Sequence, residues 1–107
     1  MPFEIVLAPQ AIQGLKAFRA DFQSSVRDAI ELHLRPEPTK LSKTRIKRLR
    51  GLDRPQYRLR MNEVRVFYDV TETAVEVLAI IPKEQAEAWL AEEATPDSPG
   101  FPSKGQT

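Results

Sequence analysis

Residues 56–70 read QYRLRMNEVRVFYDV, and the alternation within them decides the fold. Successive side chains of an extended chain point to opposite faces, so Tyr57, Leu59 and Met61 fall on one side and Arg58 and Arg60 on the other. Asn62-Glu63 breaks the pattern as a short turn. Val64, Val66, Tyr68 and Val70 then share a face opposite Arg65, Phe67 and Asp69. The stretch therefore reads as an antiparallel hairpin with one apolar face, which a second layer must cover. The same parity gathers Arg58, Arg60 and Arg65 on the other surface.

Working outward, 71–73 forms a turn and Ala74 to Ile81 is the most apolar run, as expected of a strand covered on both faces. Pro82 opens a last helix, with Ala86, Trp89 and Leu90 at helical spacing, that fades near Glu93. At the other end, Phe3 to Ala8 has strand character. Pro9 starts a first helix carrying Ala11, Ile12, Leu15 and Phe18 to about Arg19. Asp21 is placed to cap a second helix whose stripe is Phe22, Val26, Ala29, Ile30 and Leu34, which Pro36 and Pro38 end. The segment KLSKTRIKRLRG at 40–51 then reads as a basic loop, with Leu41, Ile46 and Leu49 as its apolar anchors.

The predicted order is β-α-α-β-β-β-α in the α+β class: a small antiparallel sheet with a first strand added, two N-terminal helices on one face and a short C-terminal helix. One domain is expected over 1–93. The Pro/Gly-rich stretch 94–107 is expected to be a flexible tail.

Composition narrows the chemistry. The chain has 107 residues, 41% hydrophobic and 29% charged, no Cys and a single His. Thiolate zinc sites, cysteine nucleophiles, disulfides and His-rich metal clusters are excluded. No apolar run approaches the roughly 20 residues of a bilayer span, so no membrane role is expected. The opening MPFEIVLAPQ lacks the features of a secretory signal, which gives an expected cytoplasmic location.

The net charge of +1 conceals a strong asymmetry. Between 40 and 65, ten Lys and Arg face only Asp53 and Glu63, whereas from 66 onward Lys83 and Lys104 face eight acids. A field concentrated this way attracts polyanions, of which nucleic acid is the commonest. Arg58, Arg60 and Arg65 form a cationic platform suited to phosphate. The alternative is cross-strand pairing with Glu63, Asp69 and Glu76. Lys40, Lys43, Arg45, Lys47, Arg48 and Arg50 add an RNA-backbone footprint, with no interleaved aromatic to read bases. Lys83 can point at the platform or into solvent. Trp89 reads as a packing residue, His33 as a helix-end residue, and Tyr57 and Tyr68 as inward-facing structural residues.

The ordered set Lys47-Arg48-Leu49-Arg50-Gly51-Leu52, Tyr57-Arg58-Leu59-Arg60 and Val64-Arg65-Val66-Phe67-Tyr68, followed by an apolar strand and a helix with Lys83, resembles RelE/ParE superfamily toxins of bacterial type II toxin-antitoxin systems over about 3–92. The resemblance implies a metal-independent endoribonuclease that cuts messenger RNA on the ribosome. There the 2′-hydroxyl attacks the adjacent phosphate to give a 2′,3′-cyclic phosphate, translation is inhibited, and no cofactor takes part. On this implication Arg58, Arg60, Arg65 and Lys83 are the catalytic candidates. An acidic, partly disordered cognate antitoxin is the implied partner, and plasmid stabilisation an implied biological role. Two departures stand out. RelE-type enzymes commonly carry lysines where this chain has Arg58 and Arg60, and a tyrosine where it has Trp89, so neither an evident general base nor an evident acid is retained. A ParE-like, non-enzymatic inhibitor of DNA gyrase and a plain basic nucleic-acid-binding domain are the alternatives.

Overall fold

The structure, a computed structural model, describes residues 2–96. Strand β1 (Glu4–Leu7) leads into helices α1 (Pro9–Lys16) and α2 (Ala20–His33). Strands β2 (Ile46–Arg48), β3 (Leu52–Arg54), β4 (Tyr57–Met61), β5 (Val64–Val70) and β6 (Ala74–Pro82) follow, then helix α3 (Lys83–Glu93) and the two-residue β7 (Thr95–Pro96). The main sheet has the order β1-β6-β5-β4-β2, with β1 parallel to β6 and the other pairs antiparallel. This is the expected α+β arrangement with an additional edge strand.

The hairpin forms in the register its alternation requires: Tyr57 faces Tyr68, Leu59 faces Val66 and Met61 faces Val64. Asn62 takes a positive φ of 54° at the turn, a conformation asparagine tolerates better than most residues. Leu59, Val66 and Tyr68 are completely buried, together with Val26 and Leu34 of the α2 segment and Val75, Val77 and Ile80 of β6. Tyr57 and Tyr68 stack at 5.5 Å, and the Tyr68 hydroxyl donates to the Pro38 carbonyl at 2.6 Å. That bond fixes the chain leaving α2 against the sheet. Burial pushes the Tyr68 phenol well above its ordinary range, so the hydroxyl stays a donor.

Strand β6 changes face midway. Phe67 faces Ala79 but Tyr68 faces Val77, so Leu78 is an extra residue on β6 and the pairing slips there. The bulge allows Val75, Val77 and Ile80 all to reach the core. Because β1 ends opposite Val77, α1 lies beside the remainder of β6. Gly14 makes this close approach possible: a Cβ there would stand 2.2 Å from the Ile80 carbonyl oxygen.

Four local expectations change. Residues 46–48 are strand β2 rather than loop, paired to β4 with Ile46 opposite Leu59. Arg19, not Asp21, is the N-cap of α2; Asp21 sits in its first turn and pairs with Arg19 at 3.3 Å. Leu41 is 58% exposed and anchors nothing, whereas Ile46 is buried. Thr95 and Pro96, within the segment expected as a tail, pair with Leu52–Arg54. The rest of that expected tail, 97–107, lies outside the described residues.

Candidate functional site

The sheet has two unlike faces. One carries the core and the N-terminal helices; on the other the register aligns Lys47 with Arg58, Arg58 with Phe67 and Arg60 with Arg65. Helix α3 folds back across this second face. Trp89 stacks on Phe67 at 5.1 Å and its indole N–H donates to the Gln10 side chain at 3.2 Å, so Trp89 packs the helix down as its spacing suggested. At the start of α3 the Lys83 amide donates to the Glu63 carbonyl at 2.7 Å, which joins the helix to the β4–β5 turn.

Between sheet and helix lies a cleft of about 400 Å³ whose lining includes Arg58, Arg65, Lys83 and Glu87 over the apolar Phe67 and Leu90. Arg65 is only 8% exposed, and its guanidinium donates to the Asn62 and Val64 carbonyls at 2.9 and 3.1 Å. Arg58 is half-buried, and its Nε is enclosed with no hydrogen-bond partner among the described residues. Burial first, then the charges of Arg65 and Arg60, push the Arg58 guanidinium below its ordinary range. It stays charged, because arginine does not give up its proton in proteins.

Of the three expected carboxylate partners, Glu63 is exposed and pairs with no cation among the described residues, and the other two are engaged elsewhere. Asp69 and Glu76 both bridge to Arg54, at 3.2 and 4.0 Å. Among the described residues no ion pair involves Arg58, Arg60, Arg65 or Lys83. Glu84 and Glu87 share the cleft but close on none of these cations within 4.0 Å, so the cations still repel one another and the arrangement relaxes when an anion enters. A phosphate, which accepts several N–H donors at once, meets that need.

Asp69 gives a pH signature for this face. Burial raises its carboxyl above the ordinary 3.8, outweighing the hydrogen bond from the Gln56 amide and the charge of Arg54. The folded chain thus holds this proton more tightly than the unfolded one. Its contribution to stability is full below pH 3.8 and is lost as pH rises through the raised value. Asp69→Asn is expected to abolish that fall, with a change at neutral pH of no more than about 1 kcal/mol from the lost, half-exposed Arg54 pair. Urea titrations across acid pH check it; an unchanged pH profile contradicts the assignment.

The basic segment does not act as one patch. Lys47 shares the face of Arg58. Arg48 has the opposite parity: its guanidinium lies over Tyr57 at 5.3 Å and donates to the Gln56 carbonyl at 2.7 Å, a structural role. Arg50 is exposed at the turn before β3. Lys40 and Arg45 lie beside the end of α2, around a cleft of about 180 Å³ with His33, Leu32 and Leu41; Lys40 also pairs with Glu37 at 3.7 Å. Lys43 is exposed in the loop between them. Burial and the charge of Arg45 lower the pKa of His33, which favours the neutral ring. Leu32 and Leu41, 69% and 58% exposed, form an apolar pair rimmed by these cations.

Sequence reasoning missed Glu84 and Glu87, which line the main cleft with the cations. The signal for Glu87 was its spacing: 83, 87 and 90 fall on one face of a helix.

No protein-family model matches the chain, and no curated protein matches it. Among solved structures it is similar to a chain of the toxin-antitoxin complex RelBE2 from Mycobacterium tuberculosis, with TM-score 0.62 and 19% identity over 77% of this chain and 99% of the other. It is also similar to the archaeal RelE-RelB complex from Pyrococcus horikoshii, with TM-score 0.57 and 22% identity over 78% and 97%. The RelB-RelE antitoxin-toxin complex from Methanococcus jannaschii gives TM-score 0.55 and 14% identity over 78% and 96%. The fold is that of the RelE structures.

Proposed function

We propose that this chain is the toxin of a toxin-antitoxin pair, its toxin domain spanning 1–93, and that it cuts messenger RNA on the ribosome in the cytoplasm. The observation that carries the reading is the cleft lined by Arg58, Arg65 and Lys83, none of which closes an ion pair among the described residues, on a fold shared with RelE toxins. RNA cleavage of this kind needs no metal or cofactor. The ribose 2′-hydroxyl attacks the neighbouring phosphorus, the crowded phosphorane carries extra negative charge, and the 5′-oxygen leaves as a hydroxyl.

Charge that develops in the transition state is best met by donors fixed in advance. Arg65 supplies that rigidity, because two backbone carbonyls and its burial set its position. Arg58 offers an enclosed N–H with no partner. Arg60, exposed beside them, attracts the strand, and Lys83 donates a proton to the 5′-oxygen. Lys47, Arg50 and the loop cations Lys40, Lys43 and Arg45 contact RNA backbone; Arg48 supports the sheet edge. The rimmed residues Leu32 and Leu41 suit an acidic antitoxin segment bearing apolar side chains, which would meet apolar surface and cations together.

Primer extension on messenger RNA from a cell-free translation reaction tests the reading. Purified wild-type chain is expected to leave cuts in codon phase only when ribosomes are present, each with a 2′,3′-cyclic phosphate end. An intact message with inhibited gyrase supercoiling would transfer the reading to a ParE-like gyrase inhibitor. Binding without cleavage or inhibition would leave a basic nucleic-acid-binding domain.

A further inference from the structure

Glu87 is the carboxylate that the cationic cleft holds without an evident structural purpose. It lines the cleft together with Arg58, Arg65 and Lys83, one turn along α3 from Lys83. Glu84, the other carboxylate there, has an ordinary explanation: it sits in the first turn of α3, where a negative charge complements the helix dipole. Glu87 lies beyond that turn. It makes no ion pair within 4.0 Å among the described residues, although three cations share its cleft. Glu87 is exposed, so its carboxylate is accessible to a strand that enters the cleft.

The reaction proposed above lacks one participant. Arginine cannot take a proton, and Lys83 enters as a donor. We infer that Glu87 is the general base that removes the 2′-hydroxyl proton. This assignment rests on the nuclease reading of the same cleft. The 2′-oxygen forms a bond to phosphorus as its proton passes to the Glu87 carboxylate. The bond from phosphorus to the 5′-oxygen breaks as that oxygen takes a proton from the Lys83 ammonium. The products are a 2′,3′-cyclic phosphate and a 5′-hydroxyl, and water returns the proton from Glu87 to Lys83, so the enzyme is restored. Placement supports the division of labour: the arginines rise from the sheet and the base and acid descend from the helix, one turn apart, so a phosphate between the layers meets both. Phe67 and Leu90 add apolar surface beside these charged groups.

The test is single-turnover cleavage of messenger RNA on programmed ribosomes, comparing wild type with Glu87→Gln, Glu87→Asp and Glu92→Gln, the last at an exposed position of α3 outside the cleft, each with its ribosome affinity measured by co-sedimentation. Glutamine keeps size and hydrogen bonding but cannot accept the proton. Glu87→Gln is expected to slow cleavage about 100-fold at unchanged ribosome affinity, Glu87→Asp to recover part of the rate, and Glu92→Gln to cut at nearly the wild-type rate. A Glu87→Gln variant that cuts as fast as wild type overturns the assignment. One that cuts faster makes Glu87 a resting counter-ion of the arginines and overturns it equally. Wild-type chain that does not cut removes the nuclease reading itself, a failure visible without any variant.

Discussion

Arg58→Met is expected to lower RNA cleavage about 1000-fold and at the same time to make the fold more stable by about 1 kcal/mol. The two effects have one cause. Arg58 is pressed against the sheet with its Nε enclosed and unpartnered, and Arg65 and Arg60 repel it. An enclosed donor without an acceptor costs stability, and the cost is recovered only when a phosphate arrives. Methionine retains the unbranched length that packs beside Phe67 but has nothing to satisfy. Urea unfolding and the ribosome assay, run on the same preparations, check both signs. Added inorganic phosphate supplies a second comparison: a ligand bound only by the folded state raises its stability, so wild type is expected to gain more than the variant. A variant that cuts normally, or that is less stable, contradicts the account.

Gly14→Ala carries the largest effect on folding. In an exposed helix this change is favourable by about 1 kcal/mol, because alanine has the better helix propensity. Here the new methyl would stand 2.2 Å from the Ile80 carbonyl oxygen and 3.2 Å from its carbon. Those are backbone atoms of an interior strand and cannot rotate aside. Helix α1 would have to lift from β6 and withdraw Ala11 and Leu15, both fully enclosed. The expected loss is about 3 kcal/mol, at the upper end of ordinary overpacking, which for a domain of this size is a fall of roughly 12–24 °C in Tm. Thermal unfolding followed by circular dichroism checks it, and an unchanged or raised Tm contradicts the packing.

Most of the frame was legible because periodicity and punctuation agreed. The alternation from Tyr57 to Val70 set strand, turn, register and faces together, Pro9 marked the start of α1, and Pro82 sits at the N-cap of α3. What escaped was set by partners distant in sequence. Strand β2 is three residues long, and on its core side Ile46 is buried while Arg48 is exposed. An arginine stacked on Tyr57 leaves no apolar alternation to detect, so the strand looked like a charged loop. The pairing of Leu52–Arg54 with Thr95 and Pro96, and the bulge at Leu78, likewise depend on the neighbouring chain rather than on local preference. At the cleft, the parity of Arg58, Arg60 and Arg65 was visible, but the absence of partners was not. That depends on Arg54 capturing Asp69 and Glu76 first. Glu87 was hidden among the many acids of α3.

Helix α3 encloses none of its residues completely; the Phe67–Trp89 stack holds it to the sheet, the Gln10 contact to α1 and the Lys83 amide bond to the β4–β5 turn. Segments with so little enclosed surface open at a fraction of the free energy needed to unfold a core. The molecule therefore has two stabilities, one belonging to the sheet with its N-terminal helices and a lower one belonging to the wall that completes the cleft. Heat or denaturant separates them in that order, so competence is lost first while the body of the domain still stands.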